Sequence, residues 1–268
     1  MPELPEVETI VRVLRPCLVG KTILKAELLW PRALAMPSPA EFKRRIKGQR
    51  ITDLTRRAKF LHLHLSNDHL LIHLRMSGAL LVKENTYRSA KHDRLILTLS
   101  DASFFVFNDP RKFGRVWLVG DPQRVFSELG PEPLDAGFTP QMLFERLRAR
   151  RRQLKPLLLD QTFIAGLGNI YTDEVLHLAK LHPLTLSNLV TVDQVECLWR
   201  AMREVLEEGI QCNGASIDWV YRGGEFQYLF RVYGRDGEPC LVCGTPIERI
   251  VIGQRGTHFC PTCQSYRS

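Results

Sequence analysis

The hydrophobic positions at the N-terminus recur with the period of a helix. Apolar residues stand at Leu4, Val7, Ile10, Val11, Leu14 and Leu18, and Gly20 follows them. Such spacing places the side chains on one helix face, and glycine commonly follows a helix end. The pattern therefore predicts an amphipathic helix from about Pro5 to Leu18.

From about residue 21 to residue 119, apolar and polar residues alternate. Leu61, Leu63 and Leu65 alternate with His62 and His64, and Leu95, Leu97 and Leu99 follow the same rule. Turn-forming runs at 66–68 and 108–110 separate the apolar segments. Several short strands of this kind predict a β-sandwich. His62, His64 and His69 are interpreted as solvent-side strand or turn residues, and no role is assigned to them.

Helical signals return after the proline- and glycine-rich run 130–137, which we interpret as a linker between domains. Thr139 and Pro140 are typical of a helix N-cap and first helical residue. Thr191 and Gln194 predict a capping box at the start of another helix. The first of these helices would turn Leu143, Phe144 and Leu147 inward. The second would turn inward Val195, Leu198, Met202, Val205 and Leu206. Glycines interrupt residues 213–236, which predict a loop.

Charge narrows the choice of partner. The chain has 268 residues, a formal net charge of +8 and a sequence pI near 9.3. A basic surplus favours a polyanion, with nucleic acid first and an anionic membrane surface second. Basic residues crowd the runs 43–59 and 146–155. A membrane span and a secretory signal are not indicated, because long apolar stretches are missing, so we expect a cytosolic protein.

The cysteines divide into two groups. Cys240 and Cys243 form one Cys-x-x-Cys pair, and after sixteen residues Cys260 and Cys263 form another. This spacing predicts a four-thiolate zinc site, which is structural because it leaves no open coordination position. The zinc would hold the tip of a hairpin, 254–258, and present Arg255 to a phosphate. The other cysteines, Cys17, Cys197 and Cys212, are interpreted as buried inert thiols.

The second residue suggests covalent chemistry. Removal of Met1 would expose the secondary amine of Pro2 next to Glu3. An α-amino group has a pKa of about 8, against about 10.4 for lysine, so more of it is neutral at pH 7. A neutral amine can attack an aldehyde carbon to form a Schiff base. The alternative is that Pro5 and Glu6 simply begin a helix.

Two loops are candidates for contacts with nucleic acid. Gly166-Leu167-Gly168-Asn169 precedes an apolar run, and Asn169 is interpreted as the N-cap of a phosphate-binding helix. With 155–160 as a short preceding helix, this segment is a helix–turn–helix variant, although a plain connector is the alternative. Residues 108–114 lie between strand-like runs and are interpreted as a hairpin tip. Its Arg111 and Phe113, with Met76 as a second wedge, suit insertion into a base stack, unless the tip packs back on its own sheet.

Four motifs occur together in one order: residues 2–9, 108–114, 166–171 and the terminal Cys-x-x-Cys pairs. Together they resemble bacterial members of the formamidopyrimidine-DNA glycosylase and endonuclease VIII family, the formamidopyrimidine-DNA glycosylases foremost. The resemblance spans essentially the whole chain. It implies an α+β fold with an N-terminal β-sandwich and flanking helices, a helical domain with a helix–two-turn–helix motif, and a zinc-finger β-hairpin. The implied segments are a catalytic domain at 1–131, the helical domain at 132–220, a lesion-recognition loop and connector at 221–236, and the zinc finger at 237–268.

The same resemblance implies a role for each site residue. Pro2 would attack C1′ of the damaged nucleotide, Glu3 would assist opening of the sugar, and Lys59 and Arg255 would assist β- and δ-elimination. Met76, Arg111 and Phe113 would fill the gap left by the flipped base. Contacts to the DNA backbone would come from His92, Arg151 and Asn169. The implied activity is excision of 8-oxoguanine and formamidopyrimidines followed by strand cleavage at the abasic site. One structural Zn²⁺, a double-stranded DNA partner, a monomer and a bacterial, nucleoid-associated location complete the expectation.

One segment departs from the family pattern. Residues 216–235 are several residues shorter than the loop expected to hold flipped 8-oxoguanine. Two alternatives stay open: an endonuclease VIII-like glycosylase for oxidised pyrimidines, and a non-enzymatic zinc-ribbon protein that binds nucleic acid. The Pro2-Glu3 pair distinguishes an enzyme from a binding protein, because binding does not need it.

Overall fold

The computed structural model describes residues 1–216 and 223–266. The described chain divides into two compact units, one built on Met1–Ser127 and the other on Glu128–Ala215 and the residues from Gly224 onward. No helix of the described residues has both the length and the apolar character needed to cross a membrane.

The first unit contains the N-terminal helix and the strands that the sequence pattern indicates, together with two short helices that the pattern did not place. Its helices are α1 (Leu4–Leu18), α2 (Pro39–Ile46) and α3 (Gln123–Phe126). Its strands are β1 (Ile23–Leu28), β2 (Leu34–Met36), β3 (Ile51–Arg57), β4 (Phe60–Leu65), β5 (His69–His73), β6 (Ala79–Lys83), β7 (Asp93–Leu99), β8 (Phe104–Asn108) and β9 (Arg115–Val119). A short 3-10 helix, Pro31–Ala33, precedes β2.

These strands form two sheets that share one core, which confirms the predicted β-sandwich. One sheet has the order β1-β7-β8-β6 and the other β2-β9-β5-β4-β3. Leu61 and Leu63 from one sheet meet Leu97 and Phe105 from the other, and all four are fully buried. Burial of each such side chain stabilises the fold by about 1.5–3 kcal/mol. Alternation along the strands therefore decides which residues enter the core.

Helix α1 packs on the same core and matches the predicted helix, beginning one residue earlier at Leu4. The predicted apolar face is buried or nearly so, with Val7, Val11 and Leu14 in the core and Ile10 at its margin. Cys17 lies on the opposite face and is exposed, as is Cys197, while Cys212 is half-buried. The interpretation of these three cysteines as buried thiols was wrong, because an isolated small residue carries no information about the helix face it occupies.

The second unit is helical with a small terminal sheet. Its helices are α4 (Pro140–Arg148), α5 (Leu154–Leu158), α6 (Asn169–Leu178) and α7 (Val192–Gln211), with 3-10 turns at Ser187–Leu189 and Phe226–Leu229. Strands β10 (Glu248–Ile252) and β11 (Arg255–Phe259) form an antiparallel hairpin. Thr139 caps α4, and Thr191 and Gln194 form the capping box of α7, as predicted. Local sequence is sufficient for these caps because their partners lie three residues away.

Two other sequence interpretations were wrong. Residues 108–114 are not a hairpin tip, because β8 pairs with β6 and β7 whereas β9 pairs with β2 and β5. The segment therefore connects the two sheets of the sandwich. Asn169 is not the N-cap of α6, since Gly168 occupies that position and Asn169 begins the helix.

Candidate active site and zinc centre

Helix α1 and strand β3 run antiparallel, which places the first residues of the chain at the β3–β4 turn. Arg56 Nε lies 3.1 Å from Glu8 Oε2, and Arg15 Nε lies 2.7 Å from Asp53 Oδ1. The seven helical residues and the three strand residues between these pairs each span roughly 10 Å, so the two elements stay in step. Extrapolation from Glu8 back to Glu3, and from Arg56 on to Lys59, brings both residues to the same end of the pair.

Pro2 and Glu3 are held rigidly at this end. Both side chains are buried, with Glu3 only 3% exposed. Glu3 is the N-cap of α1, and its backbone N–H donates to Glu6 Oε2 at 2.7 Å within a reciprocal capping box. The acidic residues of this motif thus also begin the helix, so the helix-start interpretation and the catalytic interpretation are compatible.

Lys59 is positioned by the tight turn between β3 and β4. Ala58 has a φ of 51°, and Lys59 is 4% exposed. Its ammonium group lies near His73 of β5. The pKa of His73 is lowered to about 3, first by burial and then by the positive charges of Arg75 and Lys59. A lysine buried at the N-terminal end of α1 can serve as a proton donor or acceptor there.

The candidate gap-filling residues lie on two loops of the first unit that are joined by a buried polar contact. Met76 is 42% exposed and Phe113 is 49% exposed. Arg111 lies over the Phe113 ring, with its guanidinium carbon 5.0 Å from the centroid. Ser77, next to Met76, donates a hydrogen bond from its hydroxyl to the Asp109 carboxylate. Two exposed apolar side chains and an arginine are therefore presented by linked loops.

Asp109 organises the second of these loops. Its carboxylate accepts the Arg111 N–H at 3.2 Å and the Gly114 N–H at 2.8 Å. A Cβ at Gly114 would lie 2.3 Å from the Phe107 ring, so a larger residue cannot replace this glycine without displacing the strand. Asp109 belongs to the 108–114 motif, but the sequence indicated only that it forms part of a turn and not that it organises the loop. Ser77 had no sequence signal at all.

His92 borders the same loop. Its carbonyl oxygen accepts the Asp109 N–H at 2.9 Å, and its side chain is half-exposed. Arg94 donates from Nε to the Asp109 carbonyl at 2.7 Å. His92, Arg111 and Phe113 are therefore brought together in the first unit.

In the second unit, the start of α6 is bonded to the terminal hairpin. Asn169 Nδ2 donates to the Gly256 carbonyl at 3.0 Å. Asp173 accepts Lys155 Nζ at 2.6 Å and the His258 N–H at 3.0 Å, and it also lies 3.1 Å from His258 Nδ1. Lys155 and Asp173 are both fully buried. These bonds fix Arg255 beside the N-terminus of α6.

The resulting arrangement suits a phosphate. Arg255 is the first residue of β11 and is exposed. A helix N-terminus carries N–H groups and the positive end of the helix dipole, and an adjacent guanidinium adds charge-assisted hydrogen bonds. Asn169 Oδ1 has no hydrogen-bond partner among the described residues. Arg151 is exposed after α4, and the contacts of the described residues do not join it to Asn169.

Many residues of the two basic runs are used inside the fold. Arg45 pairs with Asp68, and Arg56 pairs with Glu8. Arg146 donates to the Phe163 carbonyl at 2.7 Å, Arg148 donates to that of Asn188 at 2.9 Å, and Arg152 pairs with Asp160 at 2.7 Å. Charge density along the sequence therefore overstates the number of cations that can bind DNA.

The four predicted zinc ligands converge. The four sulfur atoms all lie within 4.8 Å of one another; they belong to Cys240, Cys243, Cys260 and Cys263. The Cys240–Cys263 and Cys243–Cys260 sulfur separations are 3.9 Å and 3.4 Å. Thiolates at the tetrahedral Zn–S distance of about 2.3 Å lie about 3.8 Å apart, so the residues fit the ion. The cluster holds one structural Zn²⁺ and confirms the metal prediction.

His177 supports the zinc ligands and was missed at the sequence level. Its Nε2 lies 3.5 Å from Cys240 Sγ, while its Nδ1 has no hydrogen-bond partner among the described residues. Burial, followed by the charges of Arg231 and Arg235, lowers the pKa of His177 to about 4. A neutral ring that donates from Nε2 to a ligand sulfur orients that ligand.

The predicted lesion loop lies partly outside the described residues, which stop at Ser216 and resume at Gly223. The residues on either side of this gap make defined contacts. The Glu225 N–H donates to the Cys212 carbonyl at 2.8 Å, and the Phe226 N–H donates to that of Gly214 at 3.0 Å. Phe226 stacks on Tyr171 of α6 with ring centroids 5.1 Å apart. The base of the loop is thus fixed against α6 and α7.

Comparison with known proteins decides the family. Sequence models of the formamidopyrimidine-DNA glycosylase N-terminal domain, its H2TH domain and a zinc finger found in FPG and IleRS match residues 1–116, 129–220 and 237–265. The formamidopyrimidine-DNA glycosylase of Chloroflexus aurantiacus is 50% identical over 98% of both chains. The chain belongs to the formamidopyrimidine-DNA glycosylase family. The family resemblance and the expected class of enzyme, a DNA glycosylase of base-excision repair, are confirmed.

Solved structures of formamidopyrimidine-DNA glycosylases agree with this relation. The Lactococcus lactis enzyme, non-covalently bound to DNA containing an AP site, has a TM-score of 0.93 and 37% identity, covering 99% of this chain and 100% of its own. A MutM complex with DNA containing carbocyclic 8-oxo-G has a TM-score of 0.93 and 38% identity at the same coverage. These matches confirm the α+β architecture with its helical domain and zinc-finger hairpin.

Proposed function

We propose that this protein is a bifunctional DNA glycosylase and abasic-site lyase that removes oxidised purines, 8-oxoguanine and formamidopyrimidines, from double-stranded DNA. The family relation and the likeness to glycosylases bound to lesion-containing DNA support the substrate class. The observation that carries the proposal is the buried Pro2-Glu3 pair at the start of α1, at the same end of the α1–β3 pair as Lys59. A protein that only binds DNA needs no such pair.

In the proposed reaction, the amine of Pro2 attacks C1′ of the damaged nucleotide. The bond from C1′ to the base breaks, and the base leaves with a proton. Glu3 donates a proton to the sugar ring oxygen, so that the ring opens and a Schiff base forms between Pro2 and C1′. Loss of a proton from C2′ then breaks the bond to the 3′ phosphate, and a second elimination breaks the bond to the 5′ phosphate. Lys59 and Arg255 assist these two steps.

Base removal requires the nucleotide to leave the helix, at a cost of a few kcal/mol. Met76, Arg111 and Phe113 fill the space it leaves, and Arg111 bonds to the opposite cytosine. His92, Arg151 and Asn169 contact the DNA backbone. The linked loops that carry Met76, Arg111 and Phe113, and the position of Asn169 beside Arg255, support these roles, and the exposure of Arg151 allows its contact.

The remaining expectations also stand as proposals. The chain is organised as a catalytic domain at 1–131, a helical DNA-binding domain at 132–220, a loop and connector at 221–236 and a zinc finger at 237–268. The protein acts as a monomer in the bacterial cytosol, in association with the nucleoid. The Chloroflexus relative supports a bacterial setting.

Borohydride trapping tests the covalent step. The zinc-loaded protein, incubated with a duplex containing 8-oxoguanine opposite cytosine, is expected to give a covalent complex that depends on borohydride. Mass spectrometry of this active protein should place its N-terminus at Pro2, because a retained Met1 turns the amine into an unreactive amide. A preparation that retains Met1 is the matched control. Absence of a trapped complex from protein with a free Pro2 would refute the proposal.

A rate comparison tests the substrate class. The apparent shortening of residues 216–235 bears on how the base is held, so the endonuclease VIII-like alternative is a real competitor. We expect faster single-turnover excision of 8-oxoguanine than of thymine glycol or dihydrouracil. The opposite order would assign the protein to oxidised pyrimidines and leave the Schiff-base chemistry intact.

A further inference from the structure

Three histidines outside the proposed catalytic residues form a cluster on the five-stranded sheet. One ring nitrogen from each of His62, His64 and His69 lies within 4.8 Å of the others. His62 is buried at 7% exposure, and the other two are half-exposed. The sequence interpretation as solvent-side residues was therefore wrong for His62.

Strand register explains the convergence. His62 and His64 are two residues apart on β4, so they share the face opposite to the core residues Leu61 and Leu63. His69 on β5 pairs directly with His64. Directly opposed residues in an antiparallel pair have Cβ atoms about 4.5–5.5 Å apart. Three imidazoles are thus held by backbone hydrogen bonds and not by flexible loops.

The rings contact one another through their nitrogen edges and faces. His62 Nε2 and His69 Nδ1 are 2.8 Å apart, a hydrogen bond that holds one proton between two nitrogens. The His62 and His64 rings stack with centroids 3.8 Å apart and an interplanar angle of 24°. His64 Nε2 also lies 2.8 Å from Thr55 Oγ1 on β3. Asp53, the neighbour of His64 in register, places a carboxylate nearby, although that group is paired with Arg15.

We propose that His62, His64 and His69 bind a divalent first-row transition-metal ion, with Zn²⁺ and Ni²⁺ as the ions of choice. Imidazole nitrogen is a preferred ligand of both ions. The ion takes the place of the hydrogen bond between His62 Nε2 and His69 Nδ1, and the proton of that bond moves to the other nitrogen of its own ring, so that both ligands stay neutral. Three protein ligands leave a further coordination position for water.

The nitrogen separations suit one ion, and the stacked His62 and His64 rings rotate on binding so that both lone pairs point at it. Ligand nitrogens at the Zn–N distance of about 2.0–2.1 Å in a tetrahedron lie about 3.3 Å apart. This value falls between the 2.8 Å hydrogen bond and the 4.8 Å limit of the cluster. The uncharged ring is the form that binds a metal.

The site differs in chemistry from the four-cysteine centre. Thiolates retain zinc strongly, whereas neutral imidazoles with an open position bind it less tightly and exchange it. The cluster lies on the strand that follows Lys59, and an ion there would link β4 to β5. We therefore expect the metal to stabilise the first unit.

Metal stoichiometry tests the proposal on the full-length protein without an affinity tag. The chain, loaded with one zinc at the cysteines, is dialysed against micromolar NiCl₂ and analysed by mass spectrometry for zinc and nickel. We expect one zinc and one nickel per chain, and a melting temperature several degrees higher than without nickel. X-ray absorption at the nickel edge should show nitrogen and oxygen neighbours only.

Substitutions locate the ion. His64→Gln and His69→Gln, both at half-exposed positions, should each weaken nickel binding at least tenfold. His73→Asn removes a histidine from the same face of β5 but outside the cluster, and it should leave nickel binding unchanged. Failure of the wild-type chain to bind nickel, sulfur neighbours at the nickel, or equal loss in His73→Asn would each overturn the proposal.

Discussion

At the scale of single residues, the site depends on buried polar groups that never touch DNA in the proposed mechanism. Asp109 and Ser77 join the two loops that carry Met76, Arg111 and Phe113. Asp109 is 1% exposed, so its hydrogen bonds have no competition from water. A buried carboxylate that accepts several N–H and O–H donors fixes a loop more firmly than apolar contact does.

Asp109→Asn tests this role. The Ser77 hydroxyl and the Gly114 N–H donate to different oxygens of Asp109, and an amide has only one oxygen. One buried donor therefore loses its partner, which costs about 1–3 kcal/mol of stability. We expect lower excision from 8-oxoguanine duplexes, by roughly tenfold, with borohydride trapping of a pre-formed abasic site less affected. Ser77→Ala is the matched control, and it should lose less because the Asp109 carboxylate still accepts the Arg111 and Gly114 N–H groups. Equal excision by Asp109→Asn and the wild type would show that the loop is positioned by other contacts.

His73 couples stability to pH. Its pKa is about 3 in the folded chain, below the unfolded value of about 6.5, because the site is buried and lies near Arg75 and Lys59. The unfolded state therefore binds more protons between these values, and the free energy of unfolding falls as pH decreases from 6.5 towards 3. The slope from one such histidine is about 1.4 kcal/mol per pH unit.

His73→Asn isolates this contribution. The Arg75 N–H donates to His73 Nδ1 at 3.0 Å, and an asparagine oxygen can replace that acceptor. Urea unfolding at several pH values should show a shallower acid loss for the variant. Parallel curves for the two proteins would mean that His73 does not titrate on unfolding.

At the scale of elements, a buried ion pair joins α5 to α6, and a hydrogen bond to the same carboxylate adds β11. Lys155, Asp173 and His258 come from the three elements, and Asn169 adds a bond from α6 to the hairpin. Two strands cannot form an independent core, so the hairpin relies on zinc and on these bonds. The position of Arg255 is therefore decided by α6 as much as by its own strand.

Lys155→Met should destabilise the second unit by about 3–5 kcal/mol, because it leaves the Asp173 carboxylate buried with less compensation. Thermal unfolding followed by circular dichroism measures the loss. The double variant Lys155→Met/Asp173→Asn should recover part of it, since the buried charge is also removed. A loss equal to the sum of the single variants would show that the pair is not coupled.

At the scale of the whole molecule, the net charge of +8 suits a DNA-binding protein, but internal pairs use many of the cations. Each phosphate contact contributes about −0.9 to the slope of log binding constant against log salt concentration. The slope thus counts the cations that engage DNA.

Arg151→Ala should reduce the magnitude of this slope by about 1 when binding to an undamaged duplex is measured by fluorescence anisotropy. Arg200→Ala is the control, because Arg200 is exposed in the same unit and pairs with Glu196 on α7. An unchanged slope for Arg151→Ala would remove that residue from the proposed DNA contacts.

The sequence by itself determined the features whose partners are close along the chain. Helix α1, the caps at Thr139 and Thr191, the alternation of β4 and the Cys-x-x-Cys pairs depend on residues a few positions apart, so periodicity and spacing reveal them. The order of the motifs also indicated the family, and with it the candidate chemistry of Pro2 and Glu3.

Only the tertiary structure decided which distant elements meet. Alternation states which side of a strand faces the core, but it does not state which strands pair, so the change of sheet between β8 and β9 was not foreseen. The Ser77–Asp109 bond, the Asp173 network and the histidine cluster arise for the same reason. Each joins side chains from separate elements, and their energy comes from burial, which exists only after the chain has packed.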